Sequence, residues 1–237
     1  VLVDGAPALK ASRQVAPAED VRVVGPPPRF VGRGGDKLDA ALDRFGVDPS
    51  GLRCVDAGSS TGGFTHCLLR RGAARVVAVD VGTHQLHERL RGDPRVEVRE
   101  RTDIRCLDAD EIGGPVDLVV ADLSFISLRQ VAPALVGLVR AGGELVVLVK
   151  PQFEAGRVEA ARGRGVIRDP VVWRRVLEEV SVAVIGAGGD ILRAMPSPIA
   201  GAAGNVEFFL YARRGAGPRG ALGPVLDAAV AEATATP

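Results

Sequence analysis

The sequence predicts an α/β fold: a doubly wound, mostly parallel sheet of seven strands whose last strand runs antiparallel. Three observations carry that prediction. From residue 36 onward, short runs rich in valine and leucine alternate with helical segments, the order expected of parallel strands joined by crossover helices. Several of the runs end on a charged residue, as at Asp56, Asp80, Asp122 and Lys150. The final two runs follow each other with no helical segment between them, so the last strand has to turn back.

Taken in order, residues 1–24 hold two short strand-like runs, VLVDG and EDVRVV, around a turn. Residues 25–35, within GPPPRFVGRGG, are a linker, because prolines and glycines interrupt regular structure. DKLDAALDRFG is an amphipathic helix with a glycine stop. LRCVDA is the first buried strand, followed by a helix over about 62–71. RVVAVDV is a strand, then comes a helix through Gln85 to Arg91, and RVEVRE is a shorter strand. VDLVVADL leads into a helix over 128–140, and GELVVLVK leads through a basic loop into a helix over 170–186. DILRAMP and NVEFFLYAR close the sheet. Residues 215–237 form a tail of small residues with a weak helix over 222–233.

A chain of 237 residues is long enough for one sizeable domain with a small appendage. No apolar run approaches the ~20 residues needed to span a bilayer, and the N-terminal segment lacks a basic stretch followed by an apolar core. The three cysteines, Cys54, Cys67 and Cys106, are scattered and show no CxxC spacing. They point to neither a disulfide framework nor a zinc site, and the expected compartment is the reducing cytoplasm. The net charge of +1 does not by itself advertise a polyanionic partner. Residues 150–175, however, carry a local excess of four positive charges. On charge alone the simpler reading of that stretch is a solvated loop; a phosphate-facing patch is the other. Basic residues are almost all arginine, with lysine only at Lys10, Lys37 and Lys150. Lysine can lose its proton in a suitable site, whereas arginine effectively cannot.

The stretch RCVDAGSSTGGFTHCLL, residues 53–69, runs from strand through a glycine loop into a helix. GSSTG matches the G-x-S-x-G of serine hydrolases, with Ser60 as nucleophile. That fold needs a histidine late in the chain, and the histidines here are His66, His84 and His87. The dinucleotide fingerprint G-x-G-x-x-G fits poorly, because the glycines are Gly58, Gly62 and Gly63. A Rossmann-like class I methyltransferase using S-adenosylmethionine (SAM) fits better. Its first strand ends in an acid and a glycine bend, here Asp56 and Gly58. Its second ends in an acid for the ribose hydroxyls, here Asp80, and its third is followed by a polar residue near the adenine, here Asp103. Ser60, Thr61, Gly62, Gly63 and Phe64 in the loop, Val81 beside Asp80, and Asp122 complete the expected cofactor contacts. All fall at the carboxyl edge of the sheet, where ligands bind in such folds.

Four more residues converge on that edge. Asp122 ends VDLVVAD, Lys150 ends ELVVLVK, Glu207 begins the final strand, and Lys37 opens the helix before the first strand. Each has a plain explanation alone: a strand-end lysine reaching water, a capping aspartate, surface positions on a strand and a helix. Two lysines and two carboxylates around one cleft look like a site. A hydroxyl nucleophile needs in-line placement and a base, and a second ammonium nearby favours a deprotonated lysine. Lys150 is the expected base or hydroxyl-orienting group, Asp122 its partner, and Lys37 with Glu207 the rest of the network.

The motifs RGGDKLDAAL, DAGSSTGGFT, VDVGTHQL, VDLVVADLSFISL, LVKPQFEAGR, GVIRDP and PSPIAGAAGNVEFFL together resemble the TlyA family, over roughly residues 30–214. That family is described as ribosomal RNA 2′-O-methyltransferases acting on cytidine, and its members are often named haemolysins. The resemblance implies the Lys-Asp-Lys-Glu tetrad of FtsJ-like enzymes, which falls on Lys37, Asp122, Lys150 and Glu207. It implies SAM as cofactor and ribosomal RNA or ribosomal subunits as partner, with Arg157, Arg162, Arg164 and Arg168 as RNA contacts. It makes 36–214 the methyltransferase domain and 1–24 the remnant of an alpha-L RNA-binding module. Asp103 stands where the family often has asparagine. His84 and His87, spaced i and i+3 on the expected helix, lack a third ligand, so no metal is expected. No sequence feature sets an oligomeric state. Two other functions compete: methylation of a different acceptor, and membrane lysis. Leu-Ser-Phe after Asp122 is unlike the Pro-Pro-Tyr type that stacks a target base. Lysis would need a spanning segment, a pore-forming strand or a secretion signal, and no membrane partner is expected.

Overall fold

A computed structural model of the chain describes residues 1–10, 12–25, 28–215, 217 and 221–235, without the side chains of Arg157, Ala160, Arg162 and Ala202. A small antiparallel sheet comes first: β1 (Leu2–Val3), β2 (Ala6–Pro7) and β3 (Val21–Arg22), in the order β2-β1-β3. Helix α1 (Gly34–Phe45) follows the linker and stops at Gly46, whose φ of 71° lets its N–H reach the carbonyls of Leu42 and Asp43. The alternation then proceeds through β4 (Arg53–Ala57), α2 (Gly63–Arg70), β5 (Arg75–Val79), α3 (Glu88–Arg91) and β6 (Val96–Arg99). It continues with β7 (Val116–Ala121), α4 (Leu128–Leu138), β8 (Val139–Val149), α5 (Pro151–Glu154), α6 (Arg157–Arg162) and α7 (Pro170–Gly186). The chain closes with β9 (Gly189–Pro196), β10 (Phe208–Arg214) and α8 (Leu222–Ala235).

The main sheet has seven strands in the order β6-β5-β4-β7-β8-β10-β9. β4 to β8 pair in parallel, and β10 runs antiparallel to both β8 and β9. The central strands are apolar on both faces, as a sheet covered by helices on both sides requires. Alternate residues serve the two faces. Val55, Val77, Val119 and Val147 pack with α4, α7 and α8. Cys54, Val76, Leu118 and Val146 pack with α1 and α2.

Four local details differ from the sequence expectations. The helix expected over 85–91 shrinks to the single turn of α3. The backbone before it is committed elsewhere: Gly82 N–H donates to Asp80 Oδ1 at 2.7 Å and His84 N–H to Glu100 Oε1 at 2.8 Å. His84 and His87 therefore share no helix face; His84 has a φ of 57°, and His87 caps α3 by accepting from Arg89 N–H at 3.2 Å. Arg140 belongs to β8 rather than to the end of α4. The basic loop after Lys150 contains two short helices, α5 and α6. The C-terminal helix is a full 14 residues, with Leu226, Ala229 and Ala233 buried in the layer formed with α7 and β9. Among the described residues, no helix is long and apolar enough to cross a membrane.

Leu226 is completely buried, so Leu226→Ala is expected to destabilise the fold by about 2–4 kcal/mol. Urea unfolding of variant and parent checks this through the shift in midpoint at constant slope.

Candidate active site

The turn after β4 is built from backbone. Gly58 N–H and Ser59 N–H both donate to the Val79 carbonyl, at 2.8 and 3.1 Å, which binds the turn to the end of β5. Gly58 has a φ of 83°, and a Cβ there would lie 2.6 Å from the Asp122 carbonyl oxygen. Only glycine lets the two strand ends approach so closely. Gly62 (φ 94°) lies over Leu90, whose Cδ1 would sit 2.3 Å from an added Cβ.

Asp56 lies beneath this turn and is completely buried. Its Oδ2 accepts from Thr65 N–H at 2.8 Å and from the Thr65 hydroxyl at 2.6 Å, fixing the first turn of α2. Burial pushes its carboxyl up to about 7; the Thr65 hydrogen bonds oppose that shift, and the charges of Asp122 and Asp80 add to it. Asp56 lines neither cavity at the site: its Oδ2 is taken by Thr65, and its Oδ1 is buried without a hydrogen-bond partner. Gly62 also lines neither cavity and packs against Leu90.

A cavity of ≈570 Å³ opens over the carboxyl ends of β4 to β7. Gly58 and Ser60 form one wall, Asp80 to Gly82 with Gln85 the next, and residues 102–105 and 122–126 the remainder. Asp80 is oriented by two backbone donors, Ser60 N–H at 2.8 Å and Gly82 N–H at 2.7 Å, one on each oxygen. A carboxylate oxygen has more than one acceptor direction, so both can still accept from a ligand. Asp103 is tied to the Arg105 guanidinium at 2.5 Å, which holds its carboxyl down to about 2.

A second, smaller cleft of ≈200 Å³ adjoins the first and shares Gly58, Ser60, Asp122 and Ser124 with it. Thr61, Gly63, Phe64 and the start of α1 at Arg33 and Gly34 line it, with Lys150 at its base. Lys150 Nζ lies 2.6 Å from Asp122 Oδ1. Oδ1 makes this ion contact and no hydrogen bond. The directed bond of Lys150 goes to Ser124 Oγ at 2.9 Å. Lys37 and Glu207 form a second ion pair at 2.5 Å, buried from solvent and lining neither cavity. Register explains why the two pairs fall at one edge. Ala121 stands opposite Val147, and Val149 opposite Phe208, so Asp122, Lys150 and Glu207 emerge at one edge. α1 begins at that edge: a Cβ on Gly34 would lie 3.6 Å from Asp122 Oδ2.

Of the expected RNA contacts, Arg164 and Arg168 are exposed and form no ion pair among the described residues. The side chains of Arg157 and Arg162 lie outside the described part. Asn205 seats this segment: its Oδ1 accepts from Ile167 N–H at 3.0 Å and its Nδ2 donates to the Gly165 carbonyl at 2.9 Å. Sequence reasoning weighed Phe125 only within Leu-Ser-Phe and did not select it as a site residue; it is 91% exposed, has a φ of 64° and its ring centroid lies 5.1 Å from that of Phe153. Its signal was a large aromatic just past a charged strand end. Among the described residues, no group of three or more His, Cys, Asp or Glu is placed to hold a metal ion.

The profile of the FtsJ-like methyltransferase family matches residues 30–214. The chain belongs to this family. It is 49% identical over 214 residues to the 16S/23S rRNA (cytidine-2′-O)-methyltransferase TlyA of Mycobacterium tuberculosis, covering 90% of this chain and 80% of that one. It is 34% identical to Hemolysin A of Brachyspira hyodysenteriae, covering 89% and 88% of the two chains. A solved structure from Streptococcus thermophilus that also carries the hemolysin name superposes with a TM-score of 0.84 at 37% identity, covering 92% of this chain and 78% of that one. An S-adenosylmethionine dependent methyltransferase from Mesorhizobium loti, 19% identical, shares the fold with a TM-score of 0.56 over 77% of this chain and all of that one.

The displaced pKa of Asp56 has a consequence for stability. Well below pH 4 the carboxyl is protonated in folded and unfolded chains alike. As pH rises toward about 7 the unfolded chain loses its proton first, so the folded state loses stability across that window. Asp56→Asn keeps an acceptor for Thr65 and removes the titration. Relative to the variant, the parent is expected to lose on the order of 2 kcal/mol between about pH 5 and pH 8. Urea unfolding across that range measures the difference, and parallel pH profiles would refute it.

Proposed function

We propose that the chain is a SAM-dependent RNA 2′-O-methyltransferase that delivers a methyl group to a cytidine ribose hydroxyl of ribosomal RNA. One observation carries the reading: Lys150 and Asp122 meet at the base of a cleft that opens directly off a ligand-sized cavity, with Lys37 and Glu207 paired behind them. The names of the relatives support the acceptor.

The cavity fits SAM on its own features. Its volume lies in the range of small-molecule sites, ~300–1,000 Å³, and the missing Cβ of Gly58 leaves room for close backbone approach. Asp80 offers a pre-oriented carboxylate for two ribose hydroxyls, Val81, Ile104 and Ile126 give apolar walls, and Asp103 with Arg105 forms a polar rim. Ser60 lines both cavities, and Thr61, Gly63 and Phe64 line the smaller cleft. When bound, SAM supplies an electrophilic methyl on a positively charged sulfonium.

The remaining work falls to the chain. Lys150 holds or accepts the hydroxyl proton at Nζ, and Ser124 and Asp122 keep Nζ aimed into the cleft. The Asp122 carboxylate also sets negative charge beside the place where the sulfonium would lie. Lys37 and Glu207 neutralise each other in a buried setting, where either charge alone would be costly, and they brace the start of α1 against the strand end at residue 207. Arg164, Arg168 and Arg33 present exposed guanidinium groups for phosphates. In this reading residues 1–24 serve RNA binding, 25–35 link, 36–214 carry the chemistry, and the tail completes the apolar layer.

Transfer of labelled methyl from SAM to ribosomal subunits and naked rRNA tests this. Label that blocks alkaline cleavage at a discrete cytidine is expected; label that leaves every linkage alkali-sensitive would overturn ribose chemistry. Lys150→Ala should lower transfer by about 10²–10⁴-fold, with SAM affinity changed by less than about threefold. Asp80→Ala should instead weaken SAM binding by roughly 10–100-fold, as expected for losing charge-assisted bonds, measured by titration calorimetry.

A further inference from the structure

Two segments flank the cleft, and a ladder of contacts joins them. Residues 122–128 leave β7 and enter α4; residues 150–154 leave β8 and form α5. Nearest the sheet, Lys150 meets Asp122 and Ser124. Farther out, Phe153 lies against Phe125. At the far end Glu154 closes the ladder. Its Oε1 accepts from Leu128 N–H at 2.6 Å, and its Oε2 accepts a short bond from the Ser127 hydroxyl. Arg129 donates to the Glu154 carbonyl at 3.0 Å and is itself held by Glu179 of α7 at 2.7 Å.

Glu154 is only 3% exposed. A carboxylate is buried at a cost unless donors surround it, as they do here. α5 is a single turn of four residues that starts on Lys150 as its N-cap, and a turn that short does not hold its own geometry. The direction in which it leaves β8 must be fixed from outside. Near the cleft the contacts between the segments are the Phe125–Phe153 ring contact, the Lys150–Asp122 ion pair and the Lys150–Ser124 hydrogen bond, all made by the side chains of the site itself or by exposed rings. The buried hydrogen bonds of Glu154 are the stiff ones. Glu154 lines neither the cavity over β4 to β7 nor the cleft holding Lys150; it borders a third, open cavity of ≈680 Å³ that shares Arg105, Phe125 and Ile126 with the first, so it acts on Lys150 and Asp122 through the segments it joins.

We propose that Glu154 is a positioning residue for methyl transfer: by tying the turn after Lys150 to the segment after Asp122, it sets the separation of those two side chains. This rests on the reading of Lys150 as the group that handles the hydroxyl proton.

Glu154→Ala in the full chain is the first variant. Hydrogen exchange, which needs no activity, should show faster exchange in peptides covering 122–128 and 150–154 while β4, β5 and β7 keep their protection. In transfer assays kcat should fall about 10–100-fold, as for a small misplacement of a reacting group, with KM for RNA and Kd for SAM within about threefold of the parent. Glu154→Gln, which keeps an acceptor for Leu128 N–H, should recover most of the rate. An unchanged exchange pattern, or an unchanged kcat in spite of faster exchange, overturns the proposal. So does a joint loss of kcat, SAM affinity and global stability, which marks a purely structural residue. If the alanine variant does not fold, Glu154→Asp keeps the charge but is one methylene shorter, and the same split decides. A parent chain that labels no ribose would refute the methyltransferase reading instead, while the exchange data still decide whether the tie exists.

Discussion

The arrangement depends on one close approach: the backbone of Gly58 against the carbonyl of Asp122, where a Cβ would stand 2.6 Å from oxygen. That contact brings the ends of β4 and β7 together and makes the two cavities adjoin. Gly58 and Asp122 line both. A ligand in the larger cavity and a nucleophile in the smaller cleft would therefore meet across a single residue's width. Everything else at the site adjusts side chains around this backbone junction. The β5 end is drawn in by the Val79 carbonyl, the α2 end by Asp56 and Thr65, and the β8 end by Lys150.

The charges at the site divide into two kinds. Lys37 and Glu207 are buried and pair with each other. Lys150 and Asp122 remain partly open, and one oxygen of Asp122 lacks a hydrogen bond. A buried, mutually neutralised pair stiffens a structure without offering chemistry, whereas a half-satisfied pair beside a cleft is poised to exchange partners. Burial thus separates two pairs among four residues that look equivalent in the sequence.

Much of this was legible in the sequence, for identifiable reasons. Apolar runs ending in Asp80, Asp122 and Lys150 reveal strand ends directly, and the missing helix between the last two runs reveals the antiparallel strand. Parallel strands are buried on both faces, so their composition is unambiguous. Short-range hydrogen bonding was less visible. The segment after Asp80 reads as helical, yet Asp80 and Glu100 capture the backbone N–H groups of Gly82 and His84. Asp56 occupies the place of a ligand contact in the motif, but only the structure shows its carboxylate turned beneath the loop toward Thr65. Glu154 looks like one more surface acid in a basic stretch, because its partners at Ser127 and Leu128 are 27 and 26 residues away in sequence.

The strand order also governs when the molecule becomes whole. β9 lies at the sheet edge and pairs only with β10, which inserts between it and β8. While the chain emerges from the ribosome, β9 is made first and has nowhere to dock until β10 follows, so the two must join the sheet together. Glu207 arrives at the threshold of β10, 170 residues after the lysine it neutralises. Until that moment Lys37 is a cation on a nearly complete sheet with its counterion still unmade. The charge network is therefore complete only once residue 207 has been made, and a product released before β10 would carry the glycine turn and Asp80 while lacking the partner of Lys37.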